Sequence, residues 1–161
     1  MSPEAGAPAL ALLTALGTAW VSRDAAAISA LFDGDDAETT YLDASGVDPW
    51  IGVDAIFKGA ARRCESTAEI HFSIHAPTPR ALAQDAASVF AIVDIGLKPP
   101  GGRMGASHVR VTLVAKRRGA TWKIVHYAEA PKAPLLELES YYQALAADGL
   151  NAIPPRPRGS L

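Results

Sequence analysis

Leu10, Leu13, Leu16 and Trp20 recur at helical spacing through "APALALLTALGTAWVSRD", and Leu12 widens the same apolar stripe. This pattern predicts a first helix from Ala7 that packs on a core. Asp24 reads as the N-cap of a short second helix, "AAAISALF", ending near Gly34. A strand is predicted around Thr39 to Asp43, closed by Ser45-Gly46, and a turn at Asp48-Pro49-Trp50. "GVDAIFKGAARRCES" predicts a third helix with Val53, Ile56, Phe57 and Ala60 along one side.

Period two then takes over. "EIHFSIHA" alternates Ile70, Phe72 and Ile74 with His71, Ser73 and His75, and Pro77 and Pro79 are expected to end that strand. "ASVFAIVDIGL" is apolar on both faces, as in a strand covered on both sides. After the Pro99-Pro100-Gly101-Gly102 turn come "SHVRVTLVAKRR", a turn at Gly119, and "TWKIVHYAEAP". "PLLELESYYQALAADG" predicts a C-terminal helix, with Leu135, Leu138, Tyr142 and Leu145 as its stripe, before a Pro-rich disordered tail. Helices on one side of a curved, mainly antiparallel sheet make an α+β fold. A single domain over residues 1–150 and a tail over 151–161 are expected.

Within the last strand, His126 and Glu129 are three residues apart, so their side chains point to opposite faces. On the preceding strand Val109, Val111, Leu113 and Ala115 form the dry face. On the last strand parity is tied, because Trp122 and Ile124 oppose Val125 and Tyr127.

Composition narrows the function classes. The 161 residues are 49% hydrophobic with a net charge of -2, ordinary for a globular chain and without the basic footprint of a nucleic-acid or anionic-membrane binder. A single cysteine, Cys64, excludes an internal disulfide and fits a reducing compartment. "ALALLTALGTAWV" lacks a basic leader and is too short and interrupted to span a bilayer, so a cytoplasmic protein is expected.

The closing "RVTLVAKRRGATWKIVHYAEAP" resembles the hairpin "R-x-T…W-x-I-V-H" of SnoaL-like members of the NTF2-like superfamily. From Ile70 to about Pro134 the chain also resembles the association (hub) domain of calcium/calmodulin-dependent protein kinase II. That likeness rests on Ile70-His71, Asp85-Ala86-Ala87, Arg117-Arg118 and "W-x-x-V-H-Y". Asp24 and Gly52 extend it more loosely toward the N-terminus. The resemblance implies a cone, a bent sheet wrapped around helices with a pocket between them, and homodimers through the outer face of the sheet. It leaves activity open, since such folds serve isomerases, cyclases, dehydratases and assembly domains alike. In the hub domain, arginines line the pocket at positions matched here by Val93, Leu113 and Glu129, so an acidic ligand is not expected. The same match turns Val93, Leu113, Val125, Tyr127 and Glu129 inward, and Asp94, Arg110, Thr112, His126 and Trp122 outward.

A carboxyl in a dry pocket has a raised pKa and can shuttle protons near neutral pH. Glu129 is therefore the candidate base, against the plainer possibility that it lies past the strand's end and pairs with Lys132. Asp43, two residues from Tyr41, is either a second base or a turn residue bonding its own backbone. Trp50 either lids the pocket or staples the third helix. Asp94 is expected to pair with Arg110, and His126 to be structural. His71 and His75 would lie roughly 13 Å apart on a strand, so no metal is expected, and no cofactor. The favoured function is binding of a small apolar, polyketide- or steroid-like molecule among Tyr41, Trp50, Val93, Leu113 and Tyr127. Cofactor-independent isomerisation, cyclisation or dehydration by Glu129 would accompany it. A non-catalytic oligomerisation domain with a vestigial pocket is the alternative.

Overall fold

The computed structural model describes residues 6–44 and 48–132. Helix α1 (Ala7–Val21) starts with a proline in its first turn, where the missing N–H costs no bond. Helix α2 (Ala25–Ala30) is capped as expected, the Asp24 carboxylate accepting the Ala27 N–H at 2.9 Å. Strands β1 (Thr40–Leu42) and β2 (Trp50–Ile51) precede α3 (Val53–Ser66). Then follow β3 (Glu69–Ala83), β4 (Ala86–Lys98), β5 (Gly105–Arg118) and β6 (Thr121–Pro131). Among the described residues, no helix is long and apolar enough to cross a membrane.

The six strands form one unclosed sheet in the order β2-β1-β6-β5-β4-β3. All pairings are antiparallel except that of β1 with β6, which brings the chain's first strand beside its last. Helix α1 lies across β3 to β6 and buries Leu13, Leu16 and Trp20 against the sheet's inner face. Val93, Val111, Leu113 and Tyr127 meet it from below, each fully buried. This burial is the main driving force for the α-on-β layer.

Several expectations change. β3 does not end at the prolines; it passes Pro77 and Pro79 to Ala83, with a bulge between His75 and Thr78. As an edge strand, β3 can hold prolines without losing ladder bonds on its open side. Trp50 lies in a short strand, β2, and not in a turn. On β6 a bulge resolves the parity tie: Val114 opposes His126 but Ala115 opposes Ile124, leaving Val125 as the extra residue. Trp122 and Ile124 therefore share the inner face with Tyr127 and Glu129, which corrects Trp122 from outward to inward. Val125 does not hold the inward place expected for it.

Two pairings also differ. Asp94 does sit on the outer face, but its carboxylate bonds His75 (3.0 Å) and His108 (2.5 Å), while Arg110 donates to the Pro131 carbonyl. Arg110 is opposite Ile92, two pairs along the ladder from the His108–Asp94 pair, which puts histidine nearer the acid. Arg118, near the tip of the β5–β6 hairpin, pairs at 2.6 Å with the buried Asp33 and ties the loop after α2 to that hairpin. On α3, Phe57 is 44% exposed and not part of the buried stripe. The Ser45-Gly46 turn, the C-terminal helix and the Pro-rich tail lie outside the described residues.

Candidate functional site

The parallel register of β1 with β6, and the antiparallel one with β2, place Trp50, Tyr41 and Tyr127 side by side on the inner face. Their rings form a row: Tyr41 stacks on Trp50 at 4.9 Å between centroids (16° between planes) and lies 4.6 Å from Tyr127. Trp20, at the end of α1, meets Tyr41 edge-on at 6.1 Å. Such offset and edge contacts hold rings in place beyond their area burial. Two residues beyond Tyr127, Glu129 pairs with Val111 and points inward.

The Glu129 carboxyl is held from three sides. Its Oε1 accepts from the Tyr127 hydroxyl at 2.7 Å and from Tyr41 at 3.4 Å, and its Oε2 accepts the Ala44 N–H at 3.0 Å. A carboxylate has about four accepting positions, so one remains among the described residues. The alternative of Glu129 lying past the strand and pairing with Lys132 is set aside, because Glu129 lies within β6 with these partners.

Beside it, Arg63 of α3 reaches the Asp43 carboxylate at 2.6 Å. Through this pair Asp43 anchors α3 to the end of β1; the turn it was also expected to bond runs through residues 45–47, outside the described residues. The pocket is walled by Trp20, Ile70, Phe72, Ile95 and Leu97, with Tyr41, Asp43, Trp50, Arg63 and Glu129 completing it. Its empty space is about 370 Å³, partly open to solvent, of which about 40 Å³ admits the centre of a water molecule. The cavity is largely apolar.

Burial raises the Glu129 pKa above the ordinary glutamate value, opposed by the Ala44 N–H and the Tyr127 hydroxyl and assisted by the Asp43 charge. Burial likewise pushes Tyr41 and Tyr127 well above the usual phenol value, so both stay protonated donors. The sign of the resulting stability effect is unusual for an acid. With the folded pKa above the unfolded one, the native state holds the proton more tightly. The stability this contributes is fully present below the ordinary glutamate pKa and is lost as pH rises through the folded value. Urea melts from about pH 4 to pH 7 should show this fall, and Glu129→Gln should flatten it. A wild-type profile that rises across that window, with no change in the variant, would contradict a desolvated Glu129.

Of the residues expected at the site, Glu129, Tyr41, Asp43 and Trp50 come together at this pocket. Tyr127 touches it through Glu129. Val93 and Leu113 face inward but lie in the core, where α1 covers them, and Ile95 and Leu97 take their place in the pocket wall. Trp50 both borders the pocket and seats its ring on α3 at Gly59, where an added Cβ would come within 2.4 Å of the indole. Trp20 and Arg63 were missed. Trp20 was absorbed into an apolar stripe that explained it fully. Arg63 carried a signal, since it lies seven residues after Ile56 on the buried face of α3. Among the described residues, no cluster of His, Cys, Asp and Glu is arranged to hold a metal ion.

Similar folds are known. An NTF2-like superfamily protein from Salmonella enterica superposes with a TM-score of 0.72 at 15% identity, over 82% of this chain and 94% of that one. A candidate association domain of calcium/calmodulin-dependent protein kinase II from Xanthomonas campestris gives 0.69 at 16% identity, over 78% and 86%. A candidate dehydratase of the NTF2-like family from Streptomyces avermitilis gives 0.68 at 20%, over 82% and 100%. At these identities the likeness is one of fold. No curated protein matches the sequence. The profile of the SnoaL-like domain matches residues 9–133, most of the chain and all of its described strands, and the chain belongs to that family.

Proposed function

We propose that this protein binds a small, largely apolar molecule, polyketide- or steroid-like in its ring frame, and that Glu129 moves a proton on it. The observation that carries this reading is the Glu129 carboxyl. It is held by two buried tyrosines and one backbone N–H at the wall of an apolar pocket, with an accepting position to spare. In the proposed step the carboxylate takes a proton from a carbon beside a carbonyl, and the C–H electron pair moves toward the carbonyl oxygen. The proton then returns to the same or another carbon. The net result is isomerisation, or the opening step of a cyclisation or dehydration, with no external co-reactant. A carboxyl whose pKa is raised toward neutrality suits both halves of that transfer. Tyr127 and Ala44 position the carboxyl, and Arg63 holds Asp43 so that a second carboxylate does not compete for the proton.

The candidate dehydratase among the similar folds is in keeping with this chemistry. The outer face of the sheet, with Phe90 44% exposed beside Thr112, is the surface we propose for a homodimer. The test is a thermal-shift panel of cyclic, apolar carbonyl compounds. A ligand present at ten times its Kd and binding only the folded state should raise Tm by about 4 °C. No shift across the panel, with a stable oligomer at all concentrations, would replace this reading by that of an assembly domain with a vestigial pocket.

A further inference from the structure

All four histidines of the chain, His71, His75, His108 and His126, lie on the outer face of the sheet, away from the pocket. Two of them close on one acid. The Asp94 carboxylate on β4 meets His75 Nε2 of β3 at 3.0 Å through one oxygen, and His108 Nδ1 of β5 at 2.5 Å through the other. An ionised carboxylate only accepts, so each ring donates its N–H. These bonds, that of His108 foremost, hold the Asp94 carboxyl below the usual carboxylate range, so it keeps its charge. The other charged and titratable groups around the cluster are Arg110, two residues beyond His108, His71, four before His75, and the Glu69–Lys98 pair across β3 and β4. That last pair balances itself. With both rings neutral, Asp94 and Arg110 balance as well. Each ring that takes up a proton then adds a positive charge for which the cluster has no second carboxylate.

The same face is shaped to meet its own copy. Phe90 projects from it, 44% exposed, and beside Phe90 lies a depression lined by Thr78, Arg80, Ser88 and Thr112. A knob and a hollow on one surface fit each other about a two-fold axis, where contacts are made reciprocally. The charges can pair in the same way. Asp94 and Arg110 lie on neighbouring strands, two pairs apart along the ladder, and Arg110 donates to the Pro131 carbonyl and not to Asp94. A two-fold axis between them sets the acid of each chain against the arginine of the other. We propose that this face closes on a second copy of the chain, and that the His75–Asp94–His108 cluster releases it in acid. This rests on the reading of the outer face as the homodimer surface and adds its control. Histidine is the side chain whose charge changes across the neutral range. Burial at an interface disfavours a charged imidazole. The dimer therefore binds fewer protons than two separate chains, and a fall in pH drives it apart.

The test is sedimentation equilibrium of the full chain across pH, with the imidazole protons followed by NMR and the fold by circular dichroism. The dimer Kd of the wild type should rise about 100-fold from about pH 8 to about pH 6, as expected if each chain takes up about one proton over about one pH unit. The double variant His75→Gln, His108→Gln keeps an N–H donor on each side of Asp94 but cannot titrate, and its Kd should stay flat. Phe90→Asp should be monomeric throughout. In it the rings of His75 and His108 should take up protons at higher pH than in the wild-type dimer, a comparison that serves if the double variant does not fold. A dimer that survives Phe90→Asp, or a wild type monomeric at every pH and concentration, would overturn the outer face as interface and the proposal with it. A dimer that Phe90→Asp breaks but acid does not would overturn the histidine control alone. So would pH dependence retained by the double variant, or ring titrations equal in dimer and monomer.

Discussion

Glu129→Gln is expected to reduce proton exchange at the carbon beside the carbonyl of a bound cyclic ketone by about 10² to 10⁴-fold, the usual worth of a positioned general base. Exchange in deuterated water, followed by proton NMR, measures the step without knowledge of the natural substrate. Gln keeps the size of the side chain and an acceptor oxygen for the Tyr127 hydroxyl, so the pocket should survive and ketone affinity should change little. The wild-type exchange rate should rise with pH through the folded pKa of Glu129, which burial places above the usual glutamate value. The same group thus lowers stability and gains activity as it ionises, a trade expected of a carboxyl kept in a dry site. If the variant exchanges protons as fast as the wild type, Glu129 is not the base, and the tyrosine-bound carboxyl is only a structural clasp between β1 and β6.

The second large effect is structural. Gly59→Val is expected to destabilise the fold by about 2–3 kcal/mol, since overpacking against a side chain that cannot yield costs in this range. A Cβ at position 59 would lie 2.4 Å from Cδ2 and Cε2 of Trp50. The indole has little room to retreat, because its other face is stacked on Tyr41. The slightly better helix propensity of Val over Gly offsets only a few tenths of a kcal/mol. Tm should fall by roughly 6–10 °C, and the near-ultraviolet circular dichroism of the aromatic row should weaken as Trp50 is pushed from Tyr41. Binding of ketone probes should weaken with it, because Trp50 borders the pocket. A variant as stable as the wild type, with its aromatic signal intact, would mean that Trp50 does not staple α3.

Much of the fold was legible because its signals are local and repeated. The stripe of α1, the Asp24 cap and the alternation on β5 each rest on several residues that agree, and all appear as expected. The prolines of β3 misled because a proline ends a central strand but not an edge strand, and edge position is a property of the whole sheet. The facing of β6 turned on one extra residue, Val125, and no periodicity can locate a bulge where the two parities carry equal apolar weight.

The site was legible in part. A carboxyl near an apolar strand end marked Glu129, and the resemblance set its direction, which the pairing with Val111 then supplied independently. Asp43 could not be assigned from its own neighbourhood, since its partner Arg63 stands twenty residues away on α3. Trp20 looked complete as a core residue, and only the pocket it borders sets it apart.

By itself, then, the sequence determined the order and type of the described elements other than the short β2, the dry face of β5 and the presence of a lone acidic residue near the end of its last strand. These follow from short-range periodicity and residue chemistry. The tertiary structure alone decided what that acid meets. The parallel pairing of β1 with β6 brings Tyr41 and the Ala44 N–H to Glu129 from more than eighty residues away. Contacts of that span depend on how strands are ordered in a sheet, and strand order leaves no mark on the local pattern of any one of them.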